Sequence, residues 1–188
     1  MCCKKNRGEV ARGSAWALVT GAAVGIGREY AERLAELGYN LYLVDIRKEI
    51  IEESMAIEHH HRIKCVPKVL DLSEVGAARR LHTTTTDEGY EFDVVINNAG
   101  IFSFCDILNT PLERIEHLLQ LHDVTLTTMC RLYGEDMVKR GKGRLLNMSS
   151  YSIWMPFPGL ALYSASKAYV KGFSEAFSRE LRKTGVSV

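Results

Sequence analysis

The sequence predicts a doubly wound α/β fold, a parallel sheet covered by helices on both faces in three layers. Two observations predict it. Short apolar runs alternate along the chain with amphipathic stretches long enough to be helices, the pattern of right-handed βαβ crossovers. The apolar runs are continuous rather than alternating with polar residues, which suits strands buried on both faces.

The elements follow in order. Ala15 to Val19 is a compact apolar run ending in Thr20-Gly21. From Gly25 to Leu37, the residues Ile26, Tyr30, Leu34 and Leu37 recur at helical spacing, and Gly38 stops the helix. Leu41 to Val44 is the second strand, followed by a charged helix from Lys48 to His60. Ile63 to Leu70 is the third strand, and Pro67 inside it implies an edge position or a bulge. A third helix lies within Asp71 to Asp87, with Ser73 as its N-cap. Phe92 to Ile96 is the fourth strand and runs into Asn97-Asn98-Ala99-Gly100. One long helix spans Pro111 to Lys139, with proline at its start. Gly143 to Met148 is the fifth strand, Leu160 to Lys183 a last long helix, and Gly185 to Val188 the opening of a sixth strand.

Composition narrows the function. A chain of 188 residues reads as one domain at ~150 residues per domain, here residues 15–188 after a flexible tail at 1–14. Its 24 Lys plus Arg against 23 Asp plus Glu lack the basic excess of a polyanion binder, so no nucleic-acid partner is expected. No apolar run approaches the ~20 residues that span a bilayer. The basic N-terminus has no hydrophobic segment of a signal peptide behind it. Five cysteines (Cys2, Cys3, Cys65, Cys105, Cys130), odd in number and without CxxC spacing, argue against a disulfide framework or a zinc site. A cytoplasmic protein without metal or membrane partner is expected.

Thr20-Gly21-Ala22-Ala23-Val24-Gly25-Ile26-Gly27 sits where strand one meets helix one. A dinucleotide site needs a tight turn, close backbone approach to the pyrophosphate and close helix packing, and Gly21, Gly25 and Gly27 can supply these in turn. The spacing is GxxxGxG rather than GxGxxG, and an ordinary strand–helix turn is the other reading. Asp45 ends the second strand where a carboxylate can accept hydrogen bonds from an adenosine ribose. The same carboxylate repels a 2′-phosphate, so NAD is expected over NADP, although Arg47 lies two residues beyond. Tyr163-Ser164-Ala165-Ser166-Lys167 puts Tyr163 and Lys167 four apart on one helix face. A nearby ammonium stabilises a phenolate, which makes a usable acid/base for an alcohol–ketone pair. Ser150 follows strand five at the carboxyl edge of the sheet, where ligands of open α/β sheets bind, and its hydroxyl can polarise a substrate oxygen.

From Trp16 to Val188 these motifs stand in the order of the short-chain dehydrogenase/reductase family, which the chain resembles: TGxxxGIG at Thr20 to Gly27, an acid at Asp45, Asp71-Leu72, NNAG at Asn97 to Gly100, NxSS at Asn147 to Ser150 and YxASK at Tyr163 to Lys167. The resemblance implies a Rossmann fold that binds NAD(P). It makes Tyr163 the general acid/base, with Lys167 holding the nicotinamide ribose and Ser150 placing the substrate oxygen. Gly21, Gly25, Ile26, Gly27, Asp71, Leu72, Asn98, Ala99 and Gly100 would line the cofactor cleft. The stretches Gly38 to Asp45 and Gln120 to Gly143 resemble the branch holding general-purpose, hydroxysteroid and ketoacyl reductases. Homodimers or homotetramers built on the two long helices are implied in the same way.

The resemblance also marks departures. His122 stands where the family carries an Asn that binds a proton-relaying water. Imidazole can hold a water and titrates near neutral pH, so His122 is expected either to slow the relay or to be a buried structural histidine. Family members continue for several dozen residues past the sixth strand, so a truncated domain is expected. Its strand five would have only a stub beside it and its substrate pocket would lack a wall and lid, while the cofactor contacts would survive. His59-His60-His61 beside Glu58 cannot converge on a metal from adjacent helix positions, and a solvated helix end is expected. Cys2-Cys3 lack the context for acylation. Trp154, Met155, Pro156, Phe157 and Pro158, between Ser150 and Tyr163, read either as a wall for an apolar substrate or as packing under the last helix. The expected function is hydride transfer between NAD(H) and a small alcohol or ketone; a non-catalytic nucleotide-binding or interaction protein is the alternative.

Overall fold

The computed structural model describes residues 13–155 and 157–188; the expected tail with Cys2 and Cys3, and Pro156, lie outside the described residues apart from Gly13 and Ser14. The strands are β1 (Trp16–Thr20), β2 (Asn40–Asp45), β3 (Cys65–Val69), β4 (Phe92–Asn97), β5 (Gly143–Asn147) and β6 (Val186–Ser187). They form one sheet, all pairs parallel, in the order β3-β2-β1-β4-β5-β6. That is the doubly wound order, whose direction reverses between β1 and β4 and opens a crevice at their carboxyl ends.

Alternation along the central strands explains the two covered faces. Ala17, Val19, Leu41, Leu43 and Ile96 pack on one side beneath α1 (Gly25–Glu36) and α2 (Ile50–His61). Leu18, Tyr42, Val44 and Val95 face the other side, with α3 (Ala77–Asp87) and Met129, Tyr133, Met137 and Val170 from the long helices. Pro67 sits on the edge strand β3 opposite Leu43, where its missing N–H costs no ladder bond. The sixth strand pairs with β5 through Gly143↔Val186 and Arg144↔Ser187.

Two expectations about helices are corrected. The third helix begins at Ala77, after Gly76 in the left-handed conformation (φ +78°), not at Ser73. Ser73 instead donates through its hydroxyl and its N–H to the Asp71 carboxylate, a local turn that competes with helix initiation. The long helix from Pro111 is not continuous: α4 (Leu112–Leu119) passes through a π-helical turn, Gln120–Thr125, into α5 (Leu126–Arg140). Apolar residues on both sides of that turn keep a helical spacing, so the inserted turn leaves no mark on the pattern. The last long helix is α6 (Ala161–Glu180). His61 differs from a solvated helix end, because its ring reaches Glu32 on α1 at 2.7 Å. Among the described residues no helix is long and apolar enough to cross a membrane.

Candidate active site

The crevice at the carboxyl ends of β1, β2, β4 and β5 is a cleft of 680 Å³. Gly21, Ile26, Asp45, Asp71, Leu72, Asn98, Ala99, Gly100, Ser150, Tyr163 and Lys167 all line it. The glycine turn is built for close approach. A Cβ at Gly27 would stand 2.5 Å from Asn98 Nδ2 and closer still to the Gly21 carbonyl oxygen, and one at Gly21 would stand 2.9 Å from Ala99 Cα. Gly25 differs: its φ of +57° calls for glycine, yet a Cβ there would meet nothing within 4 Å. The N-cap of α1, Val24, makes no side-chain cap bond, which leaves the first-turn amides for an anion.

Two side chains lock this turn to the loop after β4. The Thr20 hydroxyl donates to Ile96 O (3.2 Å) and accepts from the N–H groups of Asn98 (3.1 Å) and Ala99 (3.0 Å). The Asn98 amide answers by donating to the carbonyls of Thr20 and Gly21, both at 3.1 Å. Behind them Asn97 donates to Asn147 Oδ1 (2.8 Å) and Asn147 to Ser174 Oγ (2.9 Å), joining β4, β5 and α6. Asp45 is nearly buried and accepts from the N–H groups of Ala23 and Arg47, each at 2.9 Å, so its negative charge is fixed at the cleft wall.

On the other side Tyr163 and Lys167 share one face of α6. Lys167 Nζ donates to Met148 O (2.9 Å) and stands 5.9 Å from the Tyr163 ring centroid. Burial pulls the Lys167 ammonium down to about 8, with the Asp123 charge opposing it. Ser150 is extended at the end of β5, and its Oγ accepts from the Ser152 N–H at 3.1 Å. Phe102 packs edge-on against Tyr163, with centroids 5.1 Å apart.

His122 lies in the π-helical turn and is 1% exposed. Its Nε2 accepts from the Ile101 N–H (3.0 Å), and its Nδ1 bonds Ser166 Oγ (2.9 Å). Because the Ser166 hydroxyl already donates to Tyr163 O (2.8 Å), Nδ1 must carry the proton. Both nitrogens are therefore engaged by protein, and burial, then the Lys167 charge, hold the ring neutral with its pKa down to about 3. Trp154 and Phe157 are exposed and do not line the cleft, and Lys171 Nζ on α6 lies 5.7 Å over the Trp154 ring.

Sequence reasoning passed over several contributors. The Thr20 latch, the Asn97–Asn147 bond and Phe102 involve partners far apart in the chain, so only the fold brings them together. Thr125 belongs with them: it is buried in the π-helical turn and its hydroxyl donates to Leu72 O at 2.8 Å, a partner far away in the chain.

The glycine turn with its open space at Gly25, the acid at the end of β2 and the Tyr–Lys pair have the chemistry that fits a nicotinamide dinucleotide. The solved structures agree on the fold. A bulky-bulky ketone specific alcohol dehydrogenase from Comamonas testosteroni superposes with a TM-score of 0.87 at 26% identity, covering 93% of this chain and 70% of that one. A short-chain dehydrogenase from Sphingobium yanoikuyae in complex with NADPH gives 0.86 at 28% identity, covering 92% and 68%. Very-long-chain 3-oxoacyl-CoA reductase-B of Danio rerio is 34% identical over 178 residues, 92% of this chain and 57% of that protein. The chain spans about half the length of the curated reductases of this kind that it matches. With the short chain dehydrogenase family matching residues 15–188, motifs and cleft included, the chain belongs to that family of NAD(P)-binding oxidoreductases.

Proposed function

We propose that this protein transfers a hydride between NAD(H) and an alcohol or ketone, with Tyr163 as the general acid/base. The observation that carries the reading is convergence: Ser150, Tyr163 and Lys167 line the same cleft as the glycine turn and Asp45. Bound there, the nicotinamide supplies the hydride donor or acceptor. Gly21, Gly25, Ile26 and Gly27 with the start of α1 would hold its pyrophosphate, Asp45 the adenosine ribose, Asp71 and Leu72 the adenine. Asn98 to Gly100 form the wall between the two halves of the cleft. Tyr163 passes a proton to or from the substrate oxygen, which Ser150 orients. The Lys167 ammonium stands on the same face of α6, 5.9 Å from the Tyr163 ring centroid. His122, bonded at both nitrogens, braces the Ile101 loop against α6 rather than offering a free imidazole.

The acid at Asp45 supports NAD over NADP. A second reading, NADP, is favoured by Arg47, which lines the same cleft and makes no ion pair among the described residues. We infer self-association as a homodimer or homotetramer across the outer faces of α5 and α6, where Tyr169 is exposed, bonds Thr127 at 2.7 Å and stacks on Phe173. The free thiols of Cys65, Cys105 and Cys130 support a reducing, cytoplasmic location.

The test is a panel of ketones with NADH, and of alcohols with NAD, followed by the absorbance of reduced nicotinamide. Turnover that falls about 10²–10⁴-fold in Tyr163→Phe, with NADH affinity unchanged, is the expected result. Tight NADH binding with no turnover on any ketone would instead mark a nucleotide-binding protein.

A further inference from the structure

The loop after β4 reverses the ordinary order of burial. Ser103 is 1% exposed, while Phe102 and Phe104 on either side of it are 68% and 66% exposed. The Ser103 hydroxyl bonds Cys105 Sγ at 3.1 Å, and the Cys105 N–H donates to Gly159 O at 2.8 Å. These contacts staple the loop to the segment between Ser150 and α6. Phe104 lies so close to Gly159 that a Cβ there would stand 2.9 Å from its ring. On the loop so anchored, Phe102 lines the cleft, its ring T-shaped to that of Tyr163 with centroids 5.1 Å apart. Tyr151, directly after Ser150, is also exposed and lines the same cleft. A buried serine between two exposed phenylalanines adds little to a core, so the exposed rings call for another use.

We propose that Phe102 is a specificity-determining residue, selecting ketones that carry an uncharged aromatic ring on the carbonyl carbon. The substrate's ring packs on Phe102 while its carbonyl oxygen lies at Ser150 and Tyr163. The proposal rests on the oxidoreductase reading and deepens it by naming the substrate class. Position comes first: Phe102 touches the ring of the acid/base, so a substituent on the carbon next to the reacting oxygen comes within its reach. Charge agrees. The cleft's carboxylates and guanidinium, Asp45, Arg47 and Asp71, stand at the ends of β2 and β3, and β1 and β4 separate them from β5. At the β5 end Lys167 donates to Met148 O, and no carboxylate or guanidinium follows Ser150 in the cleft wall. A ring suits the place better than a chain of equal area. Aromatic pairs gain beyond simple burial, and a rigid ring has few rotamers to lose on binding.

The test compares acetophenone with butanone as substrates for NADH, in the original chain and in variants at Phe102. The readout is the ratio of the two kcat/KM values, in which the intrinsic reactivity of each ketone cancels between proteins. The ratio should fall about 10-fold in favour of butanone in Phe102→Ala. Phe102→Tyr, which keeps the ring, should restore it, and Phe102→Leu, which keeps the bulk alone, should fall short of Tyr. A loop that merely holds the fold would lower both ketones alike and leave the ratio where it was. Binding is read separately by saturation-transfer NMR of acetophenone with NAD present, where no reduction can occur. Its affinity should also drop about 10-fold in Phe102→Ala. An unmoved ratio in a folded Phe102→Ala, or acetophenone that binds no more weakly to it, overturns the proposal. Acetophenone binding that depends on Phe102 in a protein without turnover would remove the reaction and leave the aromatic site standing. Turnover of both ketones with an unmoved ratio would do the reverse.

Discussion

Two glycines two residues apart in the cofactor turn should respond to alanine in opposite ways. At Gly27 a Cβ would sit 2.5 Å from Asn98 Nδ2 and nearer still to the Gly21 carbonyl, where ordinary contact begins at 3.4 Å. The amide must therefore retreat by about 0.9 Å, which breaks its 3.1 Å bonds to the Thr20 and Gly21 carbonyls. Overpacking costs ~1–3 kcal/mol, and each lost hydrogen bond adds ~1 kcal/mol, so Gly27→Ala should lose roughly 3–5 kcal/mol. At Gly25 no atom lies within 4 Å of the added methyl, and the cost is the left-handed backbone alone, ~1–2 kcal/mol. That methyl would project into open space at the start of α1, so Gly25→Ala should weaken NADH binding far more than it weakens the fold. Urea denaturation and an NADH fluorescence titration on both variants make the comparison. A Gly27→Ala chain as stable as Gly25→Ala, or a Gly25→Ala chain with unchanged NADH affinity, would refute the assignment of one glycine to packing and the other to the ligand.

Three further outcomes are expected. Thr20→Val keeps the shape but strands the Asn98 and Ala99 amides; a loss of about 2–4 kcal/mol in urea denaturation is expected, and a loss below ~0.5 kcal/mol would show that the latch is dispensable. The folded chain keeps His122 neutral down to about 3 whereas the unfolded chain protonates it near 6.5, so its effect is absent above pH 6.5 and stability falls as pH drops toward 3. His122→Asn should flatten that acid limb by up to ~1.4 kcal/mol per pH unit in thermal or urea denaturation at a series of pH values; an unchanged slope would mean another group governs it. Asp45→Ser should shift affinity from NADH toward NADPH by about 10-fold, ~1.4 kcal/mol, in paired titrations, and an unaltered ratio would move the choice to Arg47.

Much of this architecture can be read from the chain because its signals are local. Strand and helix alternate by composition, the glycines cluster at one junction, and Tyr163 and Lys167 face the same way because they are four apart on a helix. Pro67 announces its edge strand. What escapes is what depends on partners distant in sequence or on backbone geometry that residue types do not encode. Ser73 does not cap α3 because its N–H and hydroxyl are spent on the Asp71 carboxylate, and the helix starts only after Gly76. The π-helical turn is invisible because Leu118, Leu121, Leu126 and Met129 look like an unbroken apolar stripe, although that turn is where the polar His122 and Thr125 are buried.

The reciprocal bonding of Thr20 and Asn98 has a kinetic corollary. Each side chain holds the other's backbone, so the spacing between the first turn and the fourth strand's loop is established when the sheet forms. On the proposed function, a dinucleotide binding there would meet a socket already formed and lose little affinity to loop ordering. Its association should follow a single exponential whose rate rises linearly with concentration, without the plateau that a slow isomerisation would impose. The gain in melting temperature on adding ligand should then follow mass action alone, with no new segment becoming protected from hydrogen exchange.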